Sequence, residues 1–431
     1  MQDMLLKMTQ IIESARGAME PLHAIELLSF LGLLAKQAPD GFSAIVNTGS
    51  KHQYEAMREL GKKLATQLQL PEAVFCSPEA HRFDDKVLAE LMSWLEQVTD
   101  FTAFARAIRE LYCLGFTRSR SMESSNPSLI SLYQALLGDC SQKTLFDGAA
   151  GMAAVTSALR PQHAILMEIN HTTWLISYRL LLLEAQSMEF HRADALLVAD
   201  IGKSSADVVI LEPPLGIKLA ADQRRELARV DYLQVPAGDA VSAMAADGLW
   251  LQLAMQKLTD QGTALLLMPQ GWTFRPGYDA QVRQTLLESE YLEALISLPA
   301  GLISGTGIPS VLAILKKSRP QGAPVRLVDA SGLGSPSRQG RTLNQDEAKL
   351  IADWVQGSET SEHSRMINLS ERSIKVVEAL EQSNLTNEEK KTKAYEKLSA
   401  YAKEVGIPVT VDQLDDYIES AVRLVKVLTT P

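Results

Sequence analysis

The sequence has few cysteines and no long uninterrupted hydrophobic run. Its three cysteines, Cys76, Cys113 and Cys140, are widely spaced and lie near no histidine cluster, so neither a disulfide framework nor a zinc site is expected. No apolar segment reaches the roughly 20 residues that a membrane-spanning helix needs, and charges interrupt the N-terminal segment where a signal peptide would be apolar. We therefore expect a soluble, cytoplasmic protein without a membrane span or a bound metal.

An excess of positive charge is also missing. The 42 lysines and arginines are outnumbered by 52 aspartates and glutamates, which gives a formal net charge of -10. Because nucleic-acid contacts neutralise phosphates with basic side chains, such a chain is not a general polyanion binder. Any affinity for DNA must come from a local basic groove or from a partner. The hydrophobic fraction of 46% is that of an ordinary globular protein.

Hydrophobic periodicity divides the 431 residues into three predicted regions. Residues 1–125 repeat apolar side chains every three or four positions, which predicts a helical domain. Residues 126–357 alternate short apolar runs with amphipathic segments, which predicts an α/β domain with a mostly parallel sheet and helices on both faces. Residues 358–431 begin with a polar stretch and continue as a charged helical region. One apolar stripe there is expected to dock on a neighbouring helix or on a partner chain, and it consists of Leu414, Tyr417, Ile418, Ala421, Val422 and Val425.

Three predicted strands of the α/β region end near acidic residues. The first ends at Asp147 and is followed by Gly148 and Gly151, whose missing side chains let a ligand approach the backbone, although a tight turn needs small residues for steric reasons alone. Glu168 ends the next strand, roughly twenty residues later, where a carboxylate can accept from ribose hydroxyls or merely be solvated. Asp194 follows a short strand and either accepts from an adenine amine or caps a helix. Together these positions indicate a nucleoside-type ligand.

A family resemblance is carried by four segments in a fixed order. They are residues 147–154 (DGAAGMAA), 167–185 (MEINHTTWLISYRLLLLEA), 192–196 (RADAL) and 207–216 (DVVILEPPLG). Their order resembles that of S-adenosylmethionine-dependent DNA adenine-N6 methyltransferases, specifically the methylation subunit of type I restriction-modification systems. The resemblance continues over approximately residues 126–357. It implies a Rossmann-like class I methyltransferase domain, S-adenosylmethionine as cofactor, DNA as substrate, and a separate DNA-specificity subunit as partner.

The resemblance also implies roles for single residues. Asn126 and Pro127 take the place of the Thr-Pro pair that begins a helix beside the methionine part of the cofactor. The remaining cofactor positions are Asp147, Gly148 and Gly151 at the methionine end, Glu168 on the ribose and Asp194 near the adenine. Within the turn, Met152 and Ala153 stand where the family has a small polar residue and a glycine.

The catalytic position implied by the resemblance is Glu212-Pro213-Pro214-Leu215, where the family has Asn-Pro-Pro followed by an aromatic residue. In the family, the amide oxygen and a proline carbonyl accept hydrogen bonds from the target amine, and the ring stacks on the flipped base. Glutamate is one methylene longer, and a misplacement of about one ångström can cost on the order of a hundredfold in rate. Leucine loses stacking worth about 1–3 kcal/mol. Trp272 or Phe274 is an alternative source of stacking, and ordinary packing is the competing explanation for both.

Three hypotheses follow from these departures. The favoured one is a degenerate relative that acts as a DNA-associated binding or scaffolding component of a defence or DNA-modification complex. The second is an active DNA adenine-N6 methyltransferase that uses Glu212 as the hydrogen-bond acceptor. The third is a methyltransferase that acts on a substrate other than DNA. In each case, we expect the helical region after Thr360 to be the surface that docks on a partner protein.

Overall fold

The computed structural model describes residues 2–14, 20–48, 50–78, 80–82, 85–113, 126–198, 205–235, 244–303, 307–337, 340–357, 376–377, 380, 385–404, 410–411, 414–415, 417–419 and 421–422. Two compact units are present. One comprises Met1–Asn126 with Asp139–Ala206, and the other comprises Pro127–Gly138 with Asp207–Pro431. The domain boundaries after residues 125 and 357 remain a sequence prediction, and the compact units divide the chain differently because residues 139–206 pack with the N-terminal helices.

The N-terminal region is helical, as its periodicity predicts. Its helices are α1 (Gln2–Ser14), α2 (Pro21–Gln37), α3 (Pro39–Val46), α4 (Ser50–Leu68), α5 (Asp85–Leu95) and α6 (Phe101–Cys113), with short 3₁₀ helices at Glu72–Phe75 and Ala80–Arg82. The α/β region then begins with α7 (Pro127–Leu137), β1 (Thr144–Asp147), α8 (Ala154–Leu159), β2 (His163–Met167), α9 (His171–Leu183) and β3 (Met188–His191).

The chain continues with a second series of strands and helices. These are β4 (Ala206–Leu211), β5 (Lys218–Leu219), α10 (Ala221–Leu227), β6 (Met244–Ala245), α11 (Asp247–Lys257), β7 (Leu258–Pro269), a 3₁₀ helix (Gln270–Thr273), α12 (Tyr278–Glu288), β8 (Leu292–Ser297) and β9 (Ser310–Lys316). The last elements are β10 (Arg326–Asp329), β11 (Ser335–Ser337), β12 (Gly340–Thr342), α13 (Gln345–Gln356) and α14 (Asn387–Glu404).

The main sheet has eight strands in the order β10-β8-β9-β7-β4-β1-β2-β3. β1 pairs with β2, β2 with β3, and β8 with β10, all in parallel, whereas β9 runs antiparallel between β7 and β8. The prediction of a mostly parallel α/β fold is confirmed. The direction of β9 was not predictable, because a buried strand reads as a continuous apolar run whichever way it points.

A buried arginine joins the N-terminal helices to the α/β part of the first unit. α2 is apolar on nearly all sides and packs against α9 and α6, as expected of a helix inside a core. Arg179 of α9 has no exposed surface, and its Nη1 contacts Glu26 Oε1 of α2 at 2.6 Å. The same guanidinium donates to the carbonyl oxygens of Val74 and Cys76 at 2.8 Å. The helical region is therefore fixed to α9 by a satisfied buried charge.

The predicted apolar stripe near the C-terminus packs inside the chain. Leu414 and Ile418 are buried in one cluster with Ala394 and Leu398 of α14, and Leu380 completes it. α14 begins at a capping box, in which the Glu389 carboxylate accepts hydrogen bonds from the backbone amide and the hydroxyl of Thr386, both at 2.8 Å. Of the predicted stripe and the preceding polar stretch, Val425 and residues 358–364 lie outside the described residues.

Candidate cofactor and substrate sites

The turn after β1 begins at Asp147, whose side chain is buried. Its Oδ1 accepts a hydrogen bond from the Ala149 amide at 3.0 Å, so the carboxylate stabilises the turn itself. Gly151 and Ala153 both have φ of 51°, a left-handed conformation that costs an alanine roughly 1–2 kcal/mol. Met152, between them, is fully buried. Contacts from other parts of the chain are therefore needed to keep Ala153 in this conformation.

Glu168 provides one of those contacts. It lies directly after β2, is 8% exposed, and is thus not a solvated residue at a strand end. Its Oε2 accepts from the Gly151 amide at 3.0 Å and its Oε1 from the Asn170 amide at 2.6 Å. The two predicted positions Gly151 and Glu168 therefore lie together. Each carboxylate oxygen has two lone pairs, so the group retains the capacity to accept hydroxyl hydrogen bonds.

Ile169, which the sequence interpretation missed, lies beside this carboxylate and is 68% exposed. The next residue, Asn170, caps α9 by accepting from the Thr173 amide at 3.1 Å, which fixes the backbone on the far side of Ile169. A large apolar side chain that is held in the open between a buried carboxylate and a helix cap can pack against a flat ligand. Its sequence signal is an isoleucine that directly follows the acid at the end of a strand.

Asp194 is half-buried and follows β3. Its Oδ1 accepts from the Leu196 amide at 3.0 Å, so its carboxylate stabilises the turn at residues 195–197, where the sequence alternative of a helix cap expected a helix. The Ala193 amide donates to the Glu168 carbonyl at 3.2 Å, which brings the residues after β3 close to those after β2. Gly148 is buried in the first turn, and Asn126 is half-buried in the same compact unit.

The Glu212-Pro213-Pro214-Leu215 segment lies in the other compact unit, directly after β4. Glu212 is half-buried, and its Oε1 accepts a hydrogen bond from the hydroxyl of Tyr133 at 2.7 Å. Tyr133 is only 1% exposed and belongs to α7, the helix that begins at Pro127. Pro213 is buried and Pro214 exposed, while Leu215 is 8% exposed and therefore presents little surface to a ligand.

Three charged residues, Asp247, Arg275 and Asp279, form a linked group that contacts the residue after this segment. The Gly216 amide donates to Asp247 Oδ1 at 3.1 Å, and Asp247 Oδ2 accepts from Arg275. Arg275 also forms an ion pair with Asp279, at 3.0 Å between Nε and Oδ2. Burial raises the pKa of Asp279 to about 6, although Arg275 opposes the shift. Sequence reasoning missed this group, which anchors the residues directly after the motif.

The two candidate aromatic residues differ in exposure. Trp272 is fully buried, and the Arg283 guanidinium lies 5.7 Å from its ring centroid, so this ring is part of the packing. Phe274 is 56% exposed and directly precedes Arg275, the residue that binds Asp247. Of the two, only Phe274 has a ring that a ligand could reach.

In the part of the chain that the structure describes, no group of three histidine, cysteine, aspartate or glutamate side chains could hold a metal ion. Over the same residues, no helix is both long and apolar enough to cross a bilayer.

Comparisons with known proteins identify the family. Residues 161–396 match the model of the N-6 DNA Methylase family. The chain is 27% identical over 197 residues to the type I restriction enzyme MpnII methylase subunit of Mycoplasma pneumoniae, a match of 43% of this chain and 36% of that protein. It is 24% identical over 205 residues to the type I restriction enzyme HindI methylase subunit of Haemophilus influenzae, a match of 45% of this chain and 44% of that protein. The matched region thus spans less than half the length of these curated relatives.

Solved structures of low sequence identity share the fold. The methyltransferase subunit of a type I restriction-modification system from Streptococcus thermophilus aligns with a TM-score of 0.62 at 18% identity, over 83% of this chain and 93% of that one. A modification subunit of a putative type I restriction enzyme from Vibrio vulnificus aligns with a TM-score of 0.58 at 14% identity, over 83% of this chain and 91% of that one. The expected resemblance is confirmed, and because the family model spans more than half of the chain, this protein belongs to the N-6 DNA methylase family.

Proposed function

We propose that this chain binds S-adenosylmethionine and is the methylase-type subunit of a DNA-modifying assembly that includes a separate DNA-specificity subunit. Within that assembly it acts as a binding component rather than as an ordinary adenine methyltransferase. The observation that carries the second part is the state of the motif after β4. There Glu212, in place of the family's amide, accepts a hydrogen bond from a tyrosine hydroxyl, and Leu215, in place of the aromatic ring, is buried.

The residues after β1, β2 and β3 fit a nucleoside cofactor. Glu168 offers further acceptor capacity to ribose hydroxyls, and the exposed Ile169 beside it offers an apolar surface to an aromatic base. Met152 and Ala153, which replace smaller family residues, are both fully buried. Their side chains are therefore packed against other residues of the protein. S-adenosylmethionine supplies an activated methyl group when it is bound.

Methyl transfer is disfavoured by both departures in the motif. Glutamate is one methylene longer than asparagine and displaces the acceptor atom by about one ångström, and such a shift can cost on the order of a hundredfold in rate. The missing ring at Leu215 removes about 1–3 kcal/mol of stacking, equivalent to roughly fivefold to a hundredfold in affinity for the flipped base. Together the two changes are expected to slow adenine methylation by on the order of a thousandfold.

An active methyltransferase is the second candidate, and two observations favour it. The hydrogen bond from Tyr133 holds Glu212 in one orientation, and a fixed carboxylate can stabilise positive charge that develops on the attacking nitrogen. Phe274 is exposed and could provide the ring that Leu215 lacks. In this candidate, Glu212 accepts hydrogen bonds from the target amine and Phe274 stacks on the base.

Binding and transfer are tested separately. We expect calorimetric titration to detect S-adenosylmethionine binding, and we expect the wild-type chain with its specificity partner to transfer labelled methyl groups to adenine-containing duplex DNA only at the rate lowered by on the order of a thousandfold. The double substitution Glu212→Asn and Leu215→Tyr should then raise the rate of transfer, because it restores the amide and the ring. A lack of binding by the wild type contradicts the cofactor proposal. Transfer by the wild type at a rate similar to that of the doubly substituted chain contradicts the binding-component proposal and favours the second candidate.

A further inference from the structure

Arg109 of α6, in the N-terminal helical region, contacts the turn that follows β1. Its side chain is buried, and its Nε donates to the Met152 carbonyl at 3.0 Å. Nη1 donates to Ser157 Oγ of α8 at 3.0 Å, and Nη1 and Nη2 bind the two carboxylate oxygens of Glu184 at 2.6 and 3.0 Å. A single buried guanidinium therefore contacts the turn, the helix that follows it, and the residue that ends α9.

We propose that Arg109 is a positioning residue for the S-adenosylmethionine turn, an inference that rests on the proposed function. The left-handed φ of Ala153 is defined by the peptide group that contains the Met152 carbonyl, and this carbonyl is the one that Arg109 binds. Holding that peptide in place also keeps the Gly151 amide against Glu168, at 3.0 Å. The helical region thus sets the backbone geometry of the candidate cofactor site.

The N-terminal helical region also holds the C-terminal end of α9. Lys36 of α2 donates from Nζ to the carbonyl oxygens of Leu182 and Leu183, at 3.1 and 2.7 Å. These carbonyls belong to the last turn of the helix, where a cation is favourable. Glu184 follows them and binds Arg109. Arg109 of α6 therefore contacts the turn directly, whereas α2 holds only the end of α9 that is far from the Glu168 to Asn170 segment.

An arginine is required for this set of contacts. Its planar guanidinium bonds the Met152 carbonyl through Nε while its two terminal nitrogens bind a carboxylate, and a lysine ammonium cannot reproduce this geometry. Arg109→Lys therefore keeps the buried positive charge but loses part of the hydrogen bonding. Arg179→Lys is a matched control, because Arg179 is equally buried and makes its hydrogen bonds to residues 26–76 of the helical region.

The test measures S-adenosylmethionine affinity by calorimetry on the full chain, at a temperature where circular dichroism shows both variants folded. Both substitutions should lower the melting temperature. Only Arg109→Lys should weaken binding, by about tenfold if roughly a tenth of the molecules retain the binding geometry of the turn. If Arg109→Lys does not fold, the double substitution Arg109→Gln and Glu184→Gln replaces it, since this pair removes the bond from Nε to Met152 without leaving a buried charge unpaired.

Amide hydrogen exchange of residues 149–153 provides a second measurement that needs no ligand. Four amides there donate to oxygen atoms of Asp147, Met167, Glu168 and Ala150, and their exchange should accelerate in Arg109→Lys and not in Arg179→Lys. Unchanged affinity and exchange in Arg109→Lys overturn the inference, and so does an equal loss of affinity in Arg179→Lys. If the wild type binds no S-adenosylmethionine, the proposed function fails, and the exchange measurement alone then decides whether Arg109 positions the turn.

Discussion

Replacing Glu168 by glutamine perturbs both the stability of the first unit and its candidate ribose site. Both carboxylate oxygens of Glu168 accept a backbone amide, from Gly151 and from Asn170. Glutamine keeps one acceptor oxygen and places its NH₂ group against the other backbone N–H. A hydrogen bond to a charged acceptor contributes about 1.5–3 kcal/mol, and a buried donor that loses its partner adds a further cost. We therefore expect the free energy of unfolding to fall by about 2–4 kcal/mol.

The same substitution should weaken S-adenosylmethionine binding by about tenfold to a hundredfold, which corresponds to one charge-assisted hydrogen bond to the ribose. Urea unfolding followed by circular dichroism measures the stability, and calorimetry measures the affinity. Glu189→Gln is the control, because this glutamate is on the neighbouring strand β3 and its side chain is 56% exposed. An unchanged affinity in folded Glu168→Gln protein would show that Glu168 does not contact the ligand.

The remaining predictions concern two buried charge groups. The pKa of Asp279 is raised to about 6 from its ordinary value of 3.8, so the folded state binds this proton more tightly and loses stability as the pH rises from about 4 to 6. The stability of Asp279→Asn relative to the wild type should therefore increase over that interval in urea unfolding, and a constant difference would contradict the shift. Glu26→Ala leaves the buried Arg179 without its carboxylate and should cost about 3–5 kcal/mol in the same assay. Glu90→Ala, which removes only an exposed ion pair with Lys7, should leave the unfolding midpoint unchanged.

Strand ends were predictable because their signals are local. The runs that end at Asp147, Glu168 and Glu212 are short, apolar and bounded by residues that favour turns, and the structure has β1, β2 and β4 ending at or next to them. The spacing between the first turn and Glu168 indicated a nucleoside-type ligand, which stays a prediction, and the direct bond from the Gly151 amide to this carboxylate at 3.0 Å was not predicted.

Contacts between distant residues were not predictable. Tyr133 and Glu212 are 79 positions apart, and the periodicity of α7 marks Tyr133 only as a buried residue without naming its partner. Asp247 and Gly216 are separated by 31 positions. Arg109 and Arg179 lie on amphipathic or apolar helices, where a single charge is usually read as solvated. Their burial depends on acceptors elsewhere in the fold, which one sequence does not reveal.

The internal packing of the C-terminal stripe limits how another protein can recognise this end of the chain. Since Leu414 and Ile418 are covered by α14, a binding partner would contact the solvent-exposed face of that helix instead. That face carries both signs of charge, including the exposed Glu388, Lys393 and Lys397. Recognition there would depend on complementary charges and not on hydrophobic contact. Salt at physiological ionic strength screens such charge interactions with a Debye length of about 8 Å.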